Sequence, residues 1–140
     1  MALEALGTPR TAARVLSALL VADPPEQTAE QLAATLHASR GAISGGTATL
    51  TTMGLIERKR RRGDRKDYFR NKPNAWFEVT KQQTASVAQL RKLAEKGLEV
   101  VATDEPEVTE GLRDMRDMLT FYERELPEML ARWEKSRKDK

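Results

Sequence analysis

The stretch from Thr28 to Arg70, TAEQLAATLHASRGAISGGTATLTTMGLIERKRRRGDRKDYFR, constrains the fold more than any other part of the chain. It holds two short amphipathic runs separated by a polar turn, then a glycine stop, then two β-rich pieces flanking positive charge. Thr28 can cap the first run, and Gln31 three residues later completes a capping box. Leu32, Ala33 and Leu36 give that run one apolar face. His37-Ala38-Ser39 makes the break, and Ser39 is a good N-cap for a second run, predicted over Arg40 to Met53. Gly54 supplies the left-handed stop. Leu55 to Arg58 and Asp67 to Arg70 read as strands joined by a loop from Lys59 to Lys66, with Gly63-Asp64 as its turn. Helix, turn, helix and basic hairpin together outline a winged helix-turn-helix, a module that lays its second helix in the major groove.

Charge supports that outline. Between Leu55 and Lys72 stand nine Lys/Arg against three acids, a local +6, whereas the chain of 140 residues carries only +3. The remainder is therefore net acidic, and the positive charge is concentrated as it is in polyanion binders. Cysteine is absent, which excludes disulfides, thiol redox sensing and thiolate metal sites. No run of about 18 apolar residues occurs, and the N-terminus lacks a basic-then-apolar leader, so the expectation is a soluble, cytoplasmic protein.

The expected recognition helix is unusual in containing Gly41, Gly45 and Gly46, each costing roughly 0.5–1 kcal/mol against Ala in a helix interior. Ile43, Thr47 and Leu50 fall on its inward face. Arg40, Gly41, Ser44, Gly45 and Ala48 fall outward, where small residues let the backbone approach DNA. Of these only Arg40 has the fork that reads guanine well, so phosphates and the wing should supply much of the affinity. In the wing, Arg61, Arg62, Arg65 and Lys66 surround the Gly63-Asp64 tip, and an Arg there can enter a narrow minor groove. Asp64 is expected to cap the turn and orient a neighbouring Arg.

Before this module, Thr8-Pro9 signals a helix with Thr8 as cap and Pro9 as first residue, running to about Ala22. Ala12, Val15, Leu16, Leu19 and Leu20 form its apolar face, and Asp23-Pro24-Pro25 ends it. After Asn71-Lys72-Pro73 the pattern becomes long helix, from Ala75 to about Ala102. A break at Thr103 to Pro106 follows. From there Val108, Leu112, Met115, Leu119, Tyr122, Leu126, Met129 and Trp133 step by four and three, a heptad seam. Pro127 should kink the helix or divide it after Leu126, and the basic tail Lys135 to Lys140 should fray. With a modest apolar fraction of 39% and 32% charged residues, packing of this seam between two subunits suits the chain better than a thin monomeric core. The domain expectation is a DNA-binding lobe over 8–72 and a dimerisation region over 73–140 together with 1–7. Leu112, Met115, Leu119, Tyr122, Leu126, Met129 and Trp133 are the expected dimer contacts.

TPRTAARVLSALLVAD, the helix-turn-helix stretch above and FYERELPEMLARWEKSRK resemble the MarR family of bacterial transcriptional regulators, with the GbsR-like branch the nearest in pattern. The likeness rests most on Thr8-Pro9-Arg10, Ala38-Ser39, Gly54-Leu55-Ile56 and the Gly-Asp-Arg tip at Gly63 to Arg65. It implies a mostly α fold with a small β-hairpin wing, arranged as a homodimer on long dimerisation helices. It further implies a repressor on pseudo-palindromic double-stranded DNA, released by a small, often hydrophobic effector lodged between lobe and base. Carried over by position, Ser39, Arg40, Gly41, Ser44, Gly45 and Ala48 face DNA from the helix, and Asp64 and Arg65 from the wing. Two departures stand out. Seven residues precede Thr8, where the family carries a longer helix, so a reduced contribution to the dimer base is expected. The bulky basic residue frequent on the family's recognition helix is missing at Gly45 and Ala48.

Two other function classes fit the sequence less well. A winged helix used as a protein-docking module has little need for a local +6. An enzyme would need a nucleophile–base pair, a metal-ligand cluster or a phosphate-cradling loop, and none is visible. The lone His37 sits in the interhelical turn and reads as a turn or core residue rather than a base. No cofactor or metal is called for. Trp76, Phe77, Val87 and Met115 are the candidate effector-lining residues, although aromatics and Met at helical spacing also serve as plain core.

Overall fold

The computed structural model describes residues 2–5 and 7–140. In chain order these form α1 (Ala2–Ala5), α2 (Arg10–Leu20), β1 (Gln27–Thr28), α3 (Ala29–Leu36), α4 (Arg40–Thr52), β2 (Ile56–Arg60), β3 (Asp67–Asn71), α5 (Ala75–Val100) and α6 (Pro106–Lys138). They divide into two compact units, Met1–Val79 and Thr80–Lys140. Of the lead over 1–7, Met1 and Leu6 lie outside the described residues. Among the described residues no helix is long and apolar enough to cross a membrane.

In the first unit, three helices and a small sheet close over one core. Val15, Leu16 and Leu19 of α2 meet Leu32 of α3 and Ile43 and Leu50 of α4, with Leu55, Ile56 and Phe69 from the hairpin and Ala75 beneath. Each such aliphatic or aromatic side chain contributes about 1.5–3 kcal/mol by leaving water. Leu3 of α1 also packs against this core. The α2 boundaries differ from the sequence expectation. Pro9 is itself the N-cap, no side chain caps the helix, and the helix stops at Leu20. Pro9 still offers its carbonyl to the Ala13 N–H at 2.9 Å, so the first turn closes without Thr8. Leu20 is 52% exposed and not part of the inner face; a 100° step per residue carries it past the stripe that ends at Leu19.

The capping box on α3 forms as expected: the Gln31 N–H donates to Thr28 Oγ1, and the Thr28 N–H donates to Gln31 Oε1 at 2.8 Å. Gly54 stands at φ +78°, and the Leu55 N–H returns to the Leu50 carbonyl at 3.0 Å to close the α4 terminus. The sheet has three antiparallel strands in the order β1-β3-β2, one more than the hairpin expected from sequence. Gln27 pairs with Phe69 and Thr28 with Tyr68, while Arg58 lies opposite Phe69. Two residues of strand are too few for alternation to reveal β1. The strand β2 also extends through Arg60, so the connecting loop is shorter than the predicted Lys59 to Lys66.

The second unit is a helical hairpin. Leu112 of α6 packs on Gly97, where an added Cβ would lie 3.0 Å from its Cδ2. Further along, Arg91 Nε donates to Glu123 and its Nη1 to Glu95 at 2.7 Å. These two carboxylates hold the Arg91 guanidinium pKa above its ordinary value, the Glu123 bond having the larger effect. Pro106 opens α6 at its first turn, behind Glu105. The helix does not divide at Pro127 but runs on to Lys138. A missing N–H removes one hydrogen bond to Glu123, and the buried Leu126 and Leu130 on either side hold the turn. The tail is accordingly helical through Lys138 and does not fray from Lys135.

Candidate nucleic-acid interface

The helix α4 begins where Ser39 Oγ accepts the Ala42 N–H at 3.1 Å. Its buried face is Ile43, Gly46, Thr47 and Leu50. Thr47 is a polar residue in this core, satisfied by donating to the Ile43 and Ser44 carbonyls at 2.9 and 3.1 Å. Arg40, Gly41, Ser44, Gly45 and Ala48 are all exposed on the opposite face. The three glycines separate into two kinds. A Cβ at Gly41 or Gly45 would meet nothing within 4 Å, whereas one at Gly46 would lie 3.3 Å from Val15 Cγ2 and 3.4 Å from Thr11 Cγ2. Gly46 therefore sets how closely α4 approaches α2, a role that the sequence did not single out. Gly41 and Gly45 have no such intramolecular reason and leave the outer face nearly flat.

The wing tip is built around Asp64. Gly63 stands at φ +79°, and the Asp64 N–H donates to the Arg61 carbonyl at 3.0 Å. The Asp64 carboxylate accepts the Lys66 N–H at 2.9 Å and the Tyr68 hydroxyl at 2.8 Å. These two bonds, the backbone one first, hold its pKa below the ordinary 3.8. The Tyr68 phenol is correspondingly raised, chiefly by donating to Asp64. Asp64 thus caps the turn as expected, but the group it holds directly is Tyr68 and not an arginine. Arg61 lies over the Tyr68 ring, 3.9 Å from its centre.

Most wing cations already have acidic partners. Arg61 pairs with Glu26 at 3.2 Å, Arg60 and Arg58 with Asp67 at 3.0 and 3.7 Å, and Arg70 with Glu57 at 2.6 Å. Lys66 reaches Glu30 at 3.7 Å, and so does Arg40 at 3.0 Å from the other element. The charge count over Leu55 to Lys72 overlooks Glu26 and Glu30, which the fold brings from upstream. At the tip, Arg62 and Arg65 are exposed and form no ion pair among the described residues, so these two present their charge outward.

His37 is the left-handed C-cap of α3 at φ 50°, exposed, as a turn residue would be. Trp76 and Phe77 belong to the first unit, with Trp76 54% exposed and Phe77 half-buried. Val87 and Met115 are half-buried in the second. Along α6, Leu112, Met115, Leu119 and Leu126 are half-buried or buried, whereas Tyr122, Met129 and Trp133 are exposed. Met118 and Phe121, outside the heptad positions, join the exposed group.

A capped helix with a bare outer face beside a cationic hairpin defines a winged-helix DNA-binding protein. Residues 6–67 match the general MarR family model, and residues 74–136 match that of MmpR5-like MarR family transcriptional regulators. The HTH-type transcriptional regulator MmpR5 of Mycobacterium tuberculosis (strain ATCC 25618 / H37Rv) is 38% identical over 130 residues, covering 93% of this chain and 79% of that protein. A crystal structure of a transcriptional regulator superposes with a TM-score of 0.80 at 38% identity, over 94% of this chain and 90% of that one. The chain belongs to the MarR family of DNA-binding transcriptional regulators.

Proposed function

We propose that this chain is a homodimeric repressor that holds a pseudo-palindromic operator and releases it when a small hydrophobic molecule binds. The observation that carries the DNA half of this reading is an uncluttered outer α4 face beside the exposed Arg62 and Arg65 at the wing tip, which form no ion pair among the described residues. Ser39, Arg40, Gly41, Ser44, Gly45 and Ala48 would line the groove, with Arg61, Arg62, Asp64, Arg65 and Lys66 presenting or shaping the wing. Two α4 helices about 34–36 Å apart would match successive half-sites. The match over residues 74–136 favours the MmpR5-like branch over the GbsR-like one.

The dimer half rests on α6. Met118, Phe121, Tyr122, Met129 and Trp133 expose apolar surface along α6, and a shallow cleft of about 270 Å³ opens among Phe121, Tyr122, Glu125, Leu126, Met129 and Arg132. A second copy of the helix would bury both. Trp76, Phe77, Val87 and Met115 are the proposed effector contacts.

A gel-shift titration against DNA upstream of the chain's own coding region, at 50 and 200 mM salt, tests the reading with wild type and Arg65→Ala. Binding that falls on the order of 10³-fold or more between the two salts, and weakens in the variant, supports it. Failure to bind that fragment and a pool of genomic fragments would shift the assignment to a winged-helix docking module.

A further inference from the structure

Glu30 lies in the first turn of α3, where an acid suits the helix dipole. Its position does something more specific. One carboxylate oxygen, Oε1, accepts from Arg40 Nη2 at 3.0 Å, and the other, Oε2, lies 3.7 Å from Lys66 Nζ. Arg40 opens the recognition helix and Lys66 lies in the wing's connecting loop just before β3, so one acid bridges the two elements that would grip DNA. The bridge spans a cleft of about 320 Å³ whose other charged lining groups are Arg58 and Asp67, themselves paired at 3.7 Å. All three bridging side chains are more than half exposed. Exposed pairs of this kind add little to stability, so the arrangement acts on binding.

We propose that Glu30 is an internal stand-in for a DNA phosphate: it occupies Arg40 and Lys66 in the free protein and must be displaced by the duplex. The inference rests on the DNA-binding reading above and adds a specificity-determining residue to it. On any duplex, displacement offsets part of the gain from two phosphate contacts, which suppresses sequence-independent binding. On the operator, the restrained Arg40 guanidinium enters the groove with less freedom left to lose, since its fork is already oriented. The same acid therefore lowers non-specific affinity more than specific affinity. A cation that exchanges one anion for another also releases fewer counterions, so the salt slope is shallower than the basic count implies.

Glu30→Gln keeps the size and removes the charge. Titrations would use the upstream duplex and a mixed-sequence duplex of equal length, each over a salt series, with thermal unfolding measured alongside. The expected result is mixed-sequence binding tighter by roughly tenfold, a smaller gain on the upstream duplex, and a salt slope steeper by about 1–2. In a Lys66→Gln or Arg40→Gln background the gain should shrink, because the freed cation is no longer there. Unchanged affinity and slope, with only a lowered Tm, would reduce Glu30 to a helix-dipole partner and overturn the proposal. A gain that persists in full in both backgrounds would overturn it in favour of plain repulsion from the phosphates. Weaker binding confined to the upstream duplex would overturn it too, since Glu30 would then be accepting from a cytosine amine. A wild type that binds neither duplex would remove the DNA reading itself, and the proposal with it.

Discussion

Gly45 and Gly46 are neighbours in one helix, yet the same substitution should act differently at each. Ala is favoured over Gly in a helix interior by about 0.8–1.0 kcal/mol. At Gly45 nothing lies within 4 Å of the new Cβ, so Gly45→Ala should gain nearly all of this. At Gly46 the methyl would arrive 3.3 Å from Val15 Cγ2 and 3.4 Å from Thr11 Cγ2, with the Ala12 Cα at 3.5 Å. Both side-chain methyls must give by a few tenths of an ångström, which offsets most of the propensity gain. Gly46→Ala should then lie within about 0.5 kcal/mol of wild type, whereas Gly46→Leu overpacks the α2–α4 contact and should cost 1–3 kcal/mol or more, as rough magnitudes. Urea unfolding of the set measures this directly, and 1 kcal/mol corresponds to roughly 3–4 °C in Tm for a chain of this size. DNA titration adds a second sign: Gly45→Ala should be more stable but weaker on DNA, because its methyl projects from the face proposed to enter the groove. Equal stabilisation at both positions would refute the argument that Gly46 sets the helix–helix distance. Unaltered DNA affinity in Gly45→Ala would refute close approach through that face.

Three further outcomes follow from the same geometry. Arg62→Ala and Arg65→Ala should each flatten the salt dependence of DNA binding by about 0.9 in the log–log slope, while Arg60→Ala, already paired with Asp67, should change it less; a salt series on each variant decides this. Asp64→Asn should bring the Tyr68 phenol down toward its ordinary 10.0, read by tyrosinate absorbance. The signs are fixed: Asp64 is depressed, so its hold on the tip is complete above pH 3.8 and lost as pH falls through its lower folded value, while Tyr68 is raised, so its share is complete below pH 10.0 and lost as pH rises through the folded value. Wing amide protection factors, taken against the intrinsic exchange rate at each pH, should therefore be flat across neutral pH. Finally, Met129→Glu or Trp133→Glu should shift sedimentation toward monomer with little loss of helicity, because both side chains are exposed in the single chain; unchanged sedimentation would count against α6 as the dimer face.

The helix-turn-helix was legible because its signals are local. A capping box at Thr28 and Gln31, a capping serine at Ser39 and a glycine stop at Gly54 each act within five residues. The inward triad of α4 was legible because one helical period defines it. The features that escaped are those in which distant segments meet. Nothing near Gly46 in sequence announces that Val15 and Thr11 will press on it. The strand β1 is visible only once β3 is beside it. Glu26 and Glu30, which neutralise Arg61, Arg40 and Lys66, precede the basic run by tens of residues, so a windowed charge count gives a wing more cationic than the folded one.

The seam on α6 shows the same limit within a single helix. A strict seven-residue repeat drifts by about 20° per heptad around a straight α-helix. Leu112, Leu119 and Leu126 are covered, but the next member of that series, Trp133, is 50% exposed. Leu130, off the seam, takes the inward place one turn beyond Leu126. The intermediate members Tyr122 and Met129 drift the same way and meet Met118 and Phe121 on the outer side. One apolar series in the sequence thus serves two surfaces, the leucines and Met115 turned inward and Tyr122, Met129 and Trp133 left exposed. That division is what a helix needs if it must pack on its own chain and on a second copy together. It also explains why an unbroken heptad pattern overstates the number of residues that any one partner can bury.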